Sequence, residues 1–282
     1  MVTPSPWWSR ARHADRRPFL LARNRIKAEI RRAFEADGFT EVECAALQVS
    51  PGNETHLHAF ATEAVGRDGA ATRLYLHTSP EFASKKLLAA GEHRIFDFAR
   101  VYRNREHAPV NVPEFTMLEW YRAEEPYDAV IADSLRLLTL AAEAAGTRTF
   151  SYRGRKLDAR AKPERITVAE AFKRFAKVDL LATVDTATGD RKALAAQATA
   201  AGVAIAPDDT WSDIFSRILS ERIEPNLGMD GPTILDEYPR IEAALARACP
   251  RDPRVAERFE LYVLGIELAN GFGELTDPVE QR

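Results

Sequence analysis

Only two cysteines occur in 282 residues, Cys44 and Cys249, and their separation excludes a disulfide framework and a zinc knuckle. A reducing cytoplasm is the expected setting. Among six histidines no pair sits at helical metal-ligand spacing. His56 and His58 would share a face only in an extended segment, and are read as surface or core residues. No stretch approaches the roughly 20 apolar residues of a membrane span, and residues 1–12 hold no signal-peptide core, so no membrane partner is expected. Neither GxGxxG nor GxxxxGK[ST] is present, so any nucleotide must be held by side chains. Thirty-nine basic against 42 acidic side chains give a net charge of −3, without the footprint of a nucleic-acid coat.

What remains is 45% hydrophobic and 29% charged, an ordinary soluble chain for one large domain or two small ones. Its charge is unevenly placed. Residues 1–32 hold nine basic side chains and two acidic ones, a head of +7 on a remainder of −10. A solvated helix face is the simpler explanation of that head; docking to an acidic partner is the sharper one.

From Arg23 onward, Ile26, Ile30 and Phe34 recur every four residues before Gly38, which predicts an amphipathic helix followed by a strand over 39–43. Residues 74–78 alternate. Thr78-Ser79-Pro80-Glu81 then supplies a cap, a proline and an early acid for a helix that Gly91 closes. Two aromatic-rich runs, 95–103 and 114–121, flank a polar segment and predict an antiparallel hairpin with an extended loop. Further helices are predicted over 128–145, from the Thr167-x-x-Glu170 capping box to Lys177, and over 211–223; residues 259–270 read as one late, long strand. The expected fold class is α+β with a mainly antiparallel sheet.

Alternation along the hairpin puts Phe115, Glu119 and Tyr121 on one side of their strand, while Arg103 shares parity with Ala99 and Val101. A guanidinium beside a carboxylate on a sheet floor suits capture of a carboxylate or phosphate, though an exposed sheet face is nearly as good a reading. Later, Glu260, Asn270, Phe272 and Glu274 share parity, and Glu267 joins them only if Gly265 marks a bulge. Carboxylates in so apolar a run are expected to meet cations, magnesium rather than zinc, or an ammonium group; a salt-bridged edge strand is the alternative.

Arg103-Asn104, the run Pro113-Glu114-Phe115-Thr116-Met117-Leu118-Glu119-Trp120-Tyr121, and Gly265-Ile266-Glu267-Leu268-Ala269-Asn270-Gly271-Phe272-Gly273-Glu274-Leu275-Thr276-Asp277 resemble motif 2 and the lysine-pocket strand of class II lysyl-tRNA synthetases. Thr78-Ser79-Pro80-Glu81 with Lys85-Lys86-Leu87-Leu88 is similar to the same family. Arg254 to Glu260 and Glu224-Pro225-Asn226-Leu227-Gly228 resemble its short paralogues, which lack the anticodon-binding domain.

The resemblance implies a class II synthetase-like sheet flanked by helices, with a basic N-terminal extension over 1–22 and a catalytic domain over 23–282 lacking C-terminal motif 3. It implies a homodimer, ATP and Mg2+ as cofactors, activation of lysine or (R)-β-lysine as an adenylate, and transfer to a lysine of elongation factor P, with tRNA not expected as a partner. By position, Arg103 would be catalytic, clamping the amino-acid carboxylate and the α-phosphate, and Asn104 and Phe115 would bind ATP. Glu81, Glu119, Tyr121 and Asn270 would surround the amino acid, Phe272 would pack on its stem and Glu274 would pair with its terminal ammonium. Glu260 and Glu267 would hold magnesium against the ATP phosphates. The sequence departs from the family's pattern at Arg105, Asn111 and Val112, which bear on adenine and phosphate contacts, and at Ala45, which bears on the dimer interface. Two other readings stay open: a catalytically silent paralogue that binds a lysine-like ligand, and the catalytic part of a lysyl-tRNA synthetase.

Overall fold

The structure, a computed structural model, describes residues 6–52, 57–108 and 111–281, so His56 lies outside the described residues. Two compact units divide the chain. One is Lys27–Glu125; the other is Pro126–Arg282 together with Met1–Ile26.

Helix α1, Arg10–Ala36, crosses that division in sequence and starts well upstream of the predicted Arg23. Its first half buries almost nothing, so no apolar period announced it; arginine, alanine and leucine propensity carries the helix instead. The predicted half behaves as expected, burying Ile30 and Phe34 and stopping before Gly38 at φ +79°.

In the Lys27–Glu125 unit, β1 (Thr40–Glu41) runs parallel to β5 (Arg94–Tyr102), which pairs antiparallel with β6 (Glu114–Arg122). A second sheet joins β2 (Leu47–Gln48), β3 (Phe60–Val65) and β4 (Ala71–Leu76) in the order β2-β4-β3, and α2 (Glu81–Ala89) follows it. The predicted strand over 74–78 is therefore the second arm of a hairpin. Asp68-Gly69 at its turn was the available signal. One face of the β5/β6 hairpin packs on α1: the Phe34 ring lies 4.6 Å from Phe39, 5.0 Å from Phe96 and 5.9 Å from Trp120. Phe96 and Trp120 are cross-strand partners, so the odd-numbered residues fall on the other face.

In the second unit, α3 (Asp128–Ala145) is followed by the small hairpin β7 (Thr149–Tyr152) and β8 (Arg155–Asp158), then β9 (Glu164–Thr167). The Thr167–Glu170 capping box forms as predicted and opens α4 (Val168–Ala171), continued by a π-helical turn to Ala176. Helix α5 (Arg191–Ala200) was not foreseen. Helix α6 (Trp211–Ile218) was, and runs on as a π-helical turn to Ile223. Strand β10 (Thr233–Pro239) is parallel to β9 and antiparallel to β12 (Asp252–Val263), whose other edge takes β11 (Ala248–Cys249) and β13 (Ile266–Phe272).

The single long strand expected over 259–270 is thus two strands. Val263 pairs with Ile266 across a two-residue turn in which Leu264 and Gly265 have φ +54° and +77°, a primed hairpin geometry that glycine favours. The tip is fastened by Leu264 N–H donating to Gly228 O and Gly265 N–H to Leu227 O, both at 2.9 Å. A Cβ on Gly228 would come within 2.6 Å of Val263 Cα, which requires glycine in the Glu224–Gly228 segment. One face of this sheet buries Leu235, Tyr238, Ala256 and Tyr262 against Phe172, Ile214, Ile218 and neighbouring helical residues. The other packs Ile234, Phe259 and Leu261 on Ile131 of α3. The fold is α+β with mainly antiparallel pairing, as expected; β1/β5 and β9/β10 are the parallel exceptions.

Candidate active site

In the Lys27–Glu125 unit the odd-numbered face of the hairpin, buried along β5 and half-buried along β6, carries the predicted residues. Phe115, Glu119 and Tyr121 lie opposite Val101, Asp97 and Ile95. Arg103 continues that parity at the strand end, held by its backbone N–H donating to Pro113 O at 2.8 Å. Its Nε donates to Thr78 O at 3.4 Å, and its guanidinium stacks 5.4 Å over the Phe115 ring. The next residue, Ser79, donates from Oγ to Glu119 Oε2 at 2.7 Å and accepts from Glu81 N–H at 3.0 Å. One short segment therefore links Arg103, Glu119 and the start of α2. Tyr121 donates its hydroxyl to Glu119 Oε1, and Lys85 pairs with Glu81 at 2.6 Å one turn along the helix. Asn104 is held locally, its Oδ1 accepting from Arg105 N–H at 2.9 Å; Arg105 itself has a left-handed φ of +66°.

Glu119 is the group under most electrostatic tension. Loss of hydration, added to by the charges of Glu81 and Asp97, pushes its carboxyl up to about 7, against the pull of its two hydroxyl donors. Asp97, directly across the hairpin, is also raised, chiefly by burial; Cys44 N–H donates to it at 3.0 Å and opposes the shift. Three carboxylates with hydroxyl and backbone donors between them favour an incoming ammonium. Ser79 and Asp97 were not singled out from the sequence, although Asp97 shares parity with Arg103 and could have been found by the same alternation.

The other unit presents the second group. On β12, Arg258, Glu260 and Tyr262 share one face, and their partners on β13 are Phe272, Asn270 and Glu267. Glu267 reaches this face because the register shifts by one residue at Leu268, between the Leu261/Ala269 and Tyr262/Glu267 pairs. A bulge was the stated condition, but it lies at Leu268 and not at Gly265, which makes the hairpin turn. Glu260 is buried and fixed from both sides, with Arg258 donating to Oε1 at 2.8 Å and Tyr262 to Oε2 at 2.6 Å. Arg258 also donates to Glu242 O at 2.6 Å and stacks 4.5 Å over the Tyr238 ring.

Glu267 and Asn270 stay open to solvent, with Asn270 Nδ2 donating to Glu267 at 3.3 Å. Surrounding protein still strips hydration from Glu267, and the neighbouring Glu260 charge adds to this, so its carboxyl is raised. Glu224 is raised for the same two reasons. Phe272 is half-buried against the apolar core. Glu274 lies beyond the strand end in an isolated bridge with Ala246, where Leu275 N–H donates to Leu245 O at 2.9 Å and keeps the chain extended. Arg258, Tyr262 and Glu224 were missed by sequence reasoning; parity with Glu260 marked the first two. Among the described residues no group of three or more His, Cys, Asp or Glu side chains forms a metal cage.

A cleft of about 770 Å³ in the same unit lies elsewhere, lined by Tyr127, Arg165, Asp236, Glu237, Arg251 and neighbours. It contains none of the predicted residues. Its buried Asp236 is already satisfied by Tyr127 and by Arg165, and its alternation places it opposite the Glu260 face. Strand pairing, and not cavity size, therefore identifies where the chemistry-bearing side chains gather.

The sequence is similar to known proteins along nearly its whole length. Residues 7–282 match the family model described as tRNA synthetases class II (D, K and N). The chain is 39% identical over 266 residues to a protein of Erwinia tasmaniensis named elongation factor P–(R)-β-lysine ligase, an alignment covering 93% of this chain and 75% of that one. A Vibrio cholerae protein of the same name is 35% identical over 281 residues, covering 99% and 79%. A Haemophilus ducreyi protein so named is 37% identical over 263 residues, covering 93% and 74%.

Proposed function

The chain belongs to the class II tRNA synthetase family of the D, K and N type, and from that membership we propose that it is an ATP-dependent ligase that charges elongation factor P with (R)-β-lysine. In the first step the amino-acid carboxylate attacks the α-phosphate of ATP, forming the aminoacyl-adenylate and releasing pyrophosphate. In the second, the ε-amino group of a lysine on elongation factor P attacks the acyl carbon, an amide forms and AMP leaves. No covalent enzyme intermediate is needed, so the protein supplies orientation and electrostatics.

The observation that carries the amino-acid reading is Glu119. It lies beside Glu81 and Asp97, receives hydroxyl donors from Ser79 and Tyr121, and is raised to about 7. Such a carboxylate gains most from a cationic ligand, and an amino acid's ammonium is one. Arg103 takes the amino-acid carboxylate and the α-phosphate, where its charge offsets that developing as pyrophosphate departs. Phe115 offers its ring to adenine and Asn104 contributes to ATP binding. Glu81 and Tyr121 add amino-acid contacts beside it; in the other unit, the family resemblance alone assigns an amino-acid contact to Asn270, the stem to Phe272 and the terminal ammonium to Glu274.

Magnesium fits Glu260 and Glu267. They face the same way on adjoining strands, and the Glu260 charge raises Glu267, a repulsion that a divalent cation relieves. Bound there with phosphate oxygens, the ion would supply charge neutralisation of ATP. Arg258 and Tyr262 hold Glu260 in place for that role. The proposal also takes residues 23–282 as the catalytic domain, a homodimer as the working assembly and the cytoplasm as its place, without tRNA as a partner. Among the described residues no helix is long and apolar enough to cross a membrane.

The test is mass spectrometry of elongation factor P incubated with the chain, ATP and (R)-β-lysine. The expected result is one added β-lysyl group on a single lysine, dependent on ATP. Unmodified elongation factor P, with ligand binding retained, would instead favour a silent paralogue.

A further inference from the structure

One buried acid beside the candidate site has no role in the reaction so far. Asp97, in the middle of β5, is 5% exposed and lies directly across the hairpin from Glu119. Like charges on directly opposed residues of one sheet face repel, and burial adds to the cost. The pair is stable only if the surroundings settle which acid keeps a proton and which keeps the charge.

The two acids are furnished differently. Asp97 accepts from the Cys44 backbone N–H at 3.0 Å, a group that can only donate. The Cys44 thiol, which burial pushes up so that it stays protonated, also favours the Asp97 charge, as does His77. Glu119 accepts from the hydroxyls of Ser79 and Tyr121, and a hydroxyl can instead offer lone pairs to a protonated carboxyl. Burial raises both carboxyls, and the charges of Glu81 and Asp97 help to bring Glu119 to about 7. Other charged neighbours leave this asymmetry standing. Glu41 of β1 acts weakly on Asp97, Lys85 of α2 is paired with Glu81 at 2.6 Å, and His77 donates from Nε2 to Arg100 O at 2.8 Å.

We infer that Asp97 is a positioning residue for amino-acid capture: held ionised by Cys44, it keeps the proton of the pair on Glu119 until the ligand's ammonium takes that proton's place. Charge then balances on binding. The ligand arrives as an ammonium, and Glu119 gives one proton to solvent and becomes the carboxylate that pairs with it. A neutral isostere has no charge to set against two ionised acids, so it leaves the proton where it is and gains no ion pair. Asp97 thereby contributes to the choice of a diamino acid without touching it. The inference rests on the ligase reading above, in which Glu119 receives an ammonium.

The experiment is calorimetric titration of the full chain with (R)-β-lysine across pH, in two buffers of different ionisation enthalpy, which gives both the Kd and the protons released. The unaltered chain should release about one proton well below pH 7 and almost none well above it, its Kd falling as Glu119 ionises. Asp97→Asn keeps an oxygen for the Cys44 N–H but removes the charge. Its Kd should stop falling about one pH unit earlier, and near pH 7 its proton release should drop from about one half to about one tenth. At low pH the two chains should bind alike, because a proton and an ammonium on Glu119 feel Asp97 equally. At high pH the variant should bind about 10-fold more weakly. Asp97→Glu should restore the parent profile, and Asp97→Ser, neutral and smaller, carries the same expectation as Asp97→Asn should that variant fail to fold by circular dichroism. Glu119→Gln should release no proton with or without Asp97→Asn. An unmoved pH profile and proton count in the neutral variants would overturn the role of Asp97 while leaving the ligase reading intact. So would an equal loss of affinity at every pH, the mark of a merely structural part. No binding by the unaltered chain at any pH would strike the ligase reading itself, and this inference with it.

Discussion

Glu119 on the β5/β6 hairpin and Glu260 on β12 are both carboxylates on a sheet face, yet they are set up for opposite tasks. Glu260 receives a guanidinium and a phenol, so its charge is compensated before any ligand arrives. Glu119 receives two hydroxyls, faces Asp97 across the hairpin and feels Glu81, so its charge is uncompensated and its carboxyl rises to about 7. Glu260 is thereby a fixed part of the scaffold. Glu119 is left in a state that a cationic ligand would relieve. The lesson is that the donor type beside a buried acid, and not the acid itself, distinguishes a holder from a receiver.

The largest effect expected is from Arg103→Ala, which removes the cation meant for carboxylate and phosphate. ATP–pyrophosphate exchange should fall by about 100- to 1,000-fold or more, with the fold intact by circular dichroism. Undiminished exchange would remove Arg103 from the chemistry. Next, Arg258→Ala leaves buried Glu260 without its guanidinium and should lower stability in urea by about 3–5 kcal/mol, with Arg258→Lys recovering part of it. If Arg258→Ala is neutral, Glu260 is not the fixed partner described here.

Glu119→Gln sharpens the contrast through pH. A carboxyl raised in the folded state is protonated at no cost at low pH, and the cost of ionising it develops as pH rises from its ordinary value near 4.5 to about 7. The glutamine variant should therefore match the unaltered chain in stability at pH 5 and exceed it at pH 8, by on the order of 2 kcal/mol. Amino-acid affinity of the unaltered chain should improve through pH 7 as Glu119 ionises, and the variant should be weaker and flat across that range. Glu274→Gln should chiefly change selectivity, narrowing the preference for a diamino acid over a neutral analogue by about 10-fold, read as a ratio of kcat/KM. The smallest effect is Gly265→Ala, about 1 kcal/mol of destabilisation from a positive φ in the β12/β13 turn.

Much of this was legible in the sequence because side-chain alternation is a local property. Parity alone placed Phe115, Glu119, Tyr121 and Arg103 on one face, and capping chemistry located α4 through Thr167 and Glu170. The β12/β13 hairpin was not legible, since Leu264-Gly265 lacks the asparagine or aspartate of common primed turns and both arms are apolar. Strand β10 escaped notice because a buried strand paired on both edges shows no alternation. The upstream half of α1 was silent because a helix without a buried face leaves no period to read. The donors to Glu260 were within reach of the parity argument, but their hydrogen bonds depend on side-chain packing that no spacing encodes.

The most direct measurement is ATP–pyrophosphate exchange by this chain supplied in turn with (R)-β-lysine, α-lysine and a neutral isostere lacking the second amino group. A receptor acid at Glu119 and a second acid at Glu274 predict exchange that is strong with (R)-β-lysine, weaker with α-lysine and near background with the isostere. Exchange that is equal with all three, or that proceeds without any added amino acid, would contradict the account.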